Sequence, residues 1–175
     1  MSSRKKARES LLKALYLSES RSLTIMQALD EMEATDREIE RRTGEPEAES
    51  LKPFALGLDP EHREYANALA LTIGKSHERY NDLIKPVLVN WELARVARID
   101  RMILWIAMAE FETMLDVPAP VAISEAVDLA RRFSSEKSPG FINGVLDRIA
   151  RNMGVISSSV SSRPPSRTAG KRRRS

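Results

Sequence analysis

Apolar residues recur along most of the chain at intervals of three and four, the period of a helix with one buried face, and two-residue alternation of the kind that marks strands is nearly absent. The segment Val121 to Phe133 shows the pattern most cleanly. Ile123, Ala126, Val127, Leu129, Ala130 and Phe133 share one arc, opposite Ser124, Glu125, Asp128, Arg131 and Arg132, so this helix lies on the surface with one side packed. Ile99, Met102, Ile103, Leu104, Trp105, Ile106, Met108 and Phe111 instead point in almost every direction. A helix apolar all round is surrounded by others, and this one is expected at the centre.

Proline and capping residues set the boundaries. Asp59-Pro60 and Ser138-Pro139 each place a capping side chain before a proline whose missing N–H costs nothing in a first turn. Pro118-Ala119-Pro120 separates two helices. The expected architecture is all-α, a single compact bundle of about seven helices near 4–18, 23–42, 60–79, 81–88, 92–115, 121–134 and 139–153, within a domain spanning 1–154. Residues 43–58, which mix Gly, Pro and acids with little periodicity, are expected to form a flexible insertion. Residues 155–175 are rich in Ser, Pro, Arg and Lys, offer almost nothing to bury, and are expected to be a disordered basic tail.

Composition narrows the chemistry. With no cysteine there are no disulfides, zinc–thiolate sites or cysteine nucleophiles. The longest apolar run, Met102 to Ala109, is far too short to span a bilayer, and a cytoplasmic location is expected. His62 and His77 have no companion ligands, so no metal site is expected. Neither GxGxxG nor GxxxxGK[ST] occurs, and the acids of residues 30–49 read as solvated helix faces. Neither catalytic residues nor a cofactor are expected, and an enzyme reading has no support.

Charge is segregated. Residues 1–21 carry six basic and two acidic side chains, 22–66 carry five and twelve, 67–154 carry eleven of each, and 155–175 carry six basic and none acidic. The basic ends are a candidate electrostatic footprint for nucleic acid. In the first helix Lys5, Lys6, Lys13 and Tyr16 gather on the face opposite Leu11, Leu12 and Leu15, with Glu9 among them. Lysines neutralise phosphates and a tyrosine beside them stacks on an unpaired base, a combination suited to single-stranded RNA. A solvated charged face with a half-buried tyrosine has the same pattern. Arg4 and Arg8 share the leucine side, where Arg8 suits a carboxylate of another helix. Phe141 stands at the edge of the last helix's buried arc, either as a core residue or as an exposed stacking platform.

Four stretches carry a family resemblance: Arg4 to Tyr16, Asn90 to Glu110, Pro118 to Phe133, and the run Phe141-Ile142-Asn143-Gly144-Val145-Leu146-Asp147. In this order and spacing they resemble the NusB family of bacterial transcription antitermination factors, over roughly 90 of the 175 residues. The resemblance implies a non-enzymatic adaptor that binds boxA-like RNA together with NusE, a small-subunit ribosomal protein, within an RNA polymerase antitermination complex on ribosomal RNA operons. It assigns RNA binding to the arginine-rich motif, here Arg4, Lys5, Lys6 and Arg8, and to the region of Lys137 and Phe141. Two of the motif positions are lysine, which keeps charge but not bidentate phosphate recognition. NusE contact falls by resemblance around Asp100, for which an internal hydrogen-bonding role is the alternative. Trp91 and Trp105 are assigned to packing. Trp105 stands where the family usually has arginine and Ser124 where it has asparagine, so polar contacts at those positions do not carry over. The rival readings are a protein-binding helical scaffold without RNA, and the NusB-like domain of RNA cytosine methyltransferases, for which too little chain follows residue 153.

Overall fold

The computed structural model describes residues 3–89 and 91–156. Among them are seven α-helices: α1 (Ser3–Arg21), α2 (Ile25–Arg41), α3 (Pro46–Leu51), α4 (Pro60–Ile84), α5 (Arg98–Thr113), α6 (Ala119–Phe133) and α7 (Ser138–Asn152). No strand occurs among the described residues. Every side chain from Met102 to Phe111 is buried, because α5 is enclosed by α1 and α4 on one side and by the α6–α7 hairpin on the other. Burying a leucine- or isoleucine-sized side chain contributes about 1.5–3 kcal/mol, so this helix is the main organiser of the core.

The seven helices are not quite the seven expected. Segments 60–79 and 81–88 are one helix, α4, closed by a 3-10 turn at Lys85–Val87. The sequence offers no stop signal before Pro86, and Tyr80 and Ile84 continue the buried stripe. The helix expected from residue 92 begins at Arg98, after a separate turn at Leu93–Arg95 whose end tucks Val96 into the core. The start of α2 is fixed by a capping box: Thr24 Oγ1 accepts from the Gln27 N–H and the Gln27 side chain accepts from the Thr24 N–H. Asp59 caps α4 as expected, accepting from the His62 N–H at 3.0 Å. Pro120 falls inside the first turn of α6, where no N–H is required.

Segment 43–58, expected as a flexible insertion, contains α3 and a 3-10 turn at Lys52–Phe54. These pieces are too short for periodicity to reveal. Ala48 and Leu56 are buried, and three contacts anchor the end of the segment: Ser10 Oγ donates to the Leu56 carbonyl at 2.8 Å, the Leu56 N–H donates to the Met32 carbonyl at 3.3 Å, and the Gly57 N–H donates to the Asp36 carboxylate at 3.1 Å. Gly57 has φ +65°, which a residue without Cβ adopts freely. Of the expected tail, Val155 and Ile156 follow α7 with Ile156 against the core, and residues 157–175 lie outside the described residues.

Candidate nucleic-acid interface

Helix α1 divides as its pattern requires. Ala7, Leu11, Leu12, Ala14 and Leu15 are buried, and Lys5, Lys6, Lys13 and Tyr16 occupy the outer side. Tertiary structure then adds cations from elsewhere. Asp128 of α6 joins Lys5 (3.2 Å) to Arg131 (2.7 Å), Glu9 joins Lys13 (3.8 Å) to Arg132 (2.8 Å), and Glu19 joins Arg98 (3.2 Å) to Arg101 (3.5 Å). Lys6 is exposed and makes no ion pair among the described residues.

Seven cations therefore face three carboxylates along a strip that follows α1 from Lys5 to Glu19, about 21 Å at 1.5 Å per residue. Exposed pairs of this kind contribute about 0–1 kcal/mol each, so they orient the cations without neutralising the surplus. The Lys5 ammonium, assisted by Arg131, holds the Asp128 carboxyl below the ordinary aspartate range. Tyr16 is 48% exposed, with the Arg98 guanidinium 5.8 Å from its ring centre. It lines an apolar hollow of about 460 Å³ together with Lys13, Phe54, Ile99 and Phe133. The sequence does not single out Arg98 or the Arg131-Arg132 pair, whose only signal is a basic doublet on the polar face of α6.

Lys137, Phe141 and Asp100 meet in a second cleft of about 540 Å³ between the start of α5, the start of α7 and the connection Val87–Arg95. Lys137 is exposed, while Phe141 is half-buried, packing on the core and also facing the cleft. The placement of Phe141 lies between the two readings, partly packed and partly open to the cleft. Trp91, expected to pack inside, is 52% exposed at the same cleft, because the chain around it leaves the bundle as an irregular connection. Trp105 does pack inside, its indole N–H donating to Asn81 Oδ1 at 3.0 Å. Ile99 and Phe133 line the first hollow whereas Asp100, Ser135 and Lys137 line the second. The start of α5 and the chain at the end of α6 thus contribute to both hollows.

Asp100 and Arg8 take the internal roles that the sequence had left open beside those of the family, and Arg4 forms an ion pair away from the strip. Asp100 is buried and accepts from Ser138 Oγ at 2.8 Å, which ties α5 to α7 and takes Ser138 away from the capping role expected of it. Asp100 Oδ1 has no hydrogen-bond partner among the described residues. Arg8 is only 4% exposed: its Nε donates to Glu110 Oε1 at 2.7 Å and its Nη1 to Glu125 Oε2 at 3.2 Å. The Tyr65 hydroxyl also donates to Glu110 Oε1. Burial drives the Glu110 carboxyl above the ordinary glutamate range despite the opposing pull of Arg8 and Tyr65. Arg4 pairs with Asp116 at 2.6 Å and lies 5.2 Å from the Tyr65 ring centre. Lys5, Lys6, Lys13 and Tyr16 are thus brought beside one hollow and Lys137 and Phe141 beside the other, while Arg4 and Arg8 are directed elsewhere.

The arrangement brings together cations, exposed aromatic rings and shallow clefts, groups whose chemistry is suited to a polyanion. Comparison with known proteins identifies the family. The NusB family model matches residues 5–151. The transcription antitermination protein NusB of Sorangium cellulosum is 42% identical over 98 residues, covering 56% of this chain and 70% of its own. That of Myxococcus xanthus is 32% identical over 150 residues, covering 86% of this chain and 96% of its own. Among solved structures, T. maritima NusB superposes with a TM-score of 0.66 at 29% identity, over 85% of this chain and 90% of that one.

Proposed function

The chain belongs to the NusB family of transcription antitermination proteins, and on that premise we propose that it acts by holding boxA-like single-stranded RNA, together with NusE, against the α1 strip and the two flanking hollows. The observation that carries this reading is the surplus of cations from α1, α5 and α6 gathered along the outer face of α1 that carries Tyr16. A phosphate displaces a surface carboxylate from such a cation at little cost, and the released counterions drive association. Tyr16 and Phe141 offer ring faces to unpaired bases, and Lys137 adds charge at the second cleft.

No bond is made or broken in this role. RNA is captured electrostatically, its bases are sorted by stacking and edge contacts, and NusE alongside raises the overall affinity through a second set of contacts. Asp100, buried against Ser138, enters as the tie that holds the start of α7 beside the cleft where NusE would dock. Arg8 enters only as the internal tie that holds α1 in place. The assembled complex would help RNA polymerase in the cytoplasm read through terminators, notably on ribosomal RNA operons. Among the described residues, no helix is long and apolar enough to cross a membrane.

The test is fluorescence anisotropy of a short boxA-like RNA at two salt concentrations, with and without NusE. Affinity is expected to fall steeply with salt, by a log–log slope of about −0.7 per phosphate neutralised, and to rise with NusE. Capture of NusE without any salt-dependent RNA binding would instead mark a protein-binding scaffold.

A further inference from the structure

Phe54 is the most conspicuous side chain that the reading above leaves unused. It is 67% exposed on the 3-10 turn Lys52–Phe54, in the segment whose sequence suggested no role. Its placement is not loose. Two residues later the chain is fixed to α1 through Ser10 and to α2 through Met32, with Leu56 buried between them. A large aromatic held outward on an anchored turn contributes little to the core, and here it belongs to a contiguous apolar surface with Tyr16, Ile99 and Phe133, the kind of patch that marks a binding site. Phe54 lines the same 460 Å³ hollow as Tyr16, and the floor between them includes Leu17 and Met32.

We propose that Phe54 and Tyr16 are the two walls of a receptor for one unpaired RNA base, so that segment 43–58 supplies a stacking residue for the bound strand. The inference rests on the RNA-binding role proposed above and adds a residue and a substrate feature to it. Charge decides the occupant. An apolar side chain of a partner protein would fit the hollow equally well, but it has no need of surrounding cations. Here Lys13 lines the hollow, Arg98 lies against the Tyr16 ring, and Arg132 lies 5.2 Å from the ring centre of Phe133, another lining residue. Among the described residues, the carboxylates paired with these cations are Glu9 and Glu19, and each is shared with a second cation. A flat apolar ring attached to a phosphate on either side matches an apolar hollow with a cationic border. A nucleobase in a single strand has that chemistry, and a duplex with its bases stacked inside does not.

The experiment compares the full chain with Phe54→Ala and Phe54→Trp, using a short single-stranded RNA and, as a probe with charge but no bases, inorganic polyphosphate. Phe54→Ala is expected to raise the RNA Kd by about 5- to 150-fold, the range of one lost base–aromatic stack. Phe54→Trp, which keeps a ring, should stay close to the parent. The salt slope and the polyphosphate affinity should be unchanged in both variants, since no cation is removed. Equal RNA affinity for Phe54→Ala and the parent would overturn the receptor while leaving the wider RNA reading intact. A salt-dependent RNA affinity absent from the parent itself would overturn both. If Phe54→Ala instead changes the sedimentation of the RNA-free protein, a second copy occupies the hollow and the proposal is wrong.

Discussion

Replacing Arg8 by alanine separates two roles that one arginine in a basic first helix can have. The family pattern assigns Arg8 to RNA, yet its guanidinium is enclosed with a Glu110 side chain only 1% exposed. Removing it leaves Glu110 with the Tyr65 hydroxyl as its one remaining donor, and Glu110 Oε2 already has no hydrogen-bond partner among the described residues. Breaking a buried pair in this way costs about 3–5 kcal/mol, because an uncompensated charge stays behind. At about 2–4 °C per kcal/mol for a domain of this size, the melting temperature should fall by about 6–20 °C. The folded fraction should bind RNA with unchanged affinity.

Lys6→Ala is the natural contrast. That side chain is exposed, so stability should move by no more than about 0.5 kcal/mol, while RNA affinity weakens and the salt slope drops by about 0.7. Arg8→Met combined with Glu110→Gln should recover much of the stability lost in Arg8→Ala, since volume is kept and no buried charge is left unpaired. Scanning calorimetry and anisotropy on the same preparations decide the matter. An Arg8→Ala protein that melts like the parent and binds RNA poorly would refute the assignment of Arg8 to the bundle interior.

Tyr16→Ala should weaken RNA binding by about 1–3 kcal/mol with little change in melting temperature, and Tyr16→Phe should be nearly silent; a large loss of stability would return the ring to the core. Lys137→Glu should lower RNA affinity at low salt without affecting the fold, and unchanged affinity would move the RNA away from the second cleft. In an NMR titration, Glu110 should protonate above the ordinary glutamate range and Asp128 below the ordinary aspartate range. For Glu110 the folded state binds the extra proton between its unfolded and folded values, so stability falls as pH rises through that window; Glu110→Gln should flatten this part of the stability profile. For Asp128 the sign is opposite, and its contribution is lost as pH falls through the folded value.

The sequence by itself determined whatever depends on neighbours along the chain. Periodicity fixed α6 and the enclosed α5, Asp59 and Pro60 marked the start of α4, and the family-like stretches identified the NusB family. On α1 the same periodicity separated Lys5, Lys6, Lys13 and Tyr16 from the leucines, since a helix's faces follow from residue spacing alone. Short elements escaped it: α3 and the turn before Leu56 are each held by tertiary contacts that leave no repeating signal. Only the tertiary structure decided that Arg8 belongs to Glu110, that Asp100 belongs to Ser138, and that Arg98, Arg101, Arg131 and Arg132 join the α1 face. Apart from Arg131, which pairs with Asp128 three residues away on α6, these partners are far apart in sequence. A charge reveals its sign in the chain, but whether it meets a carboxylate, a ring or water depends on which helices pack beside it.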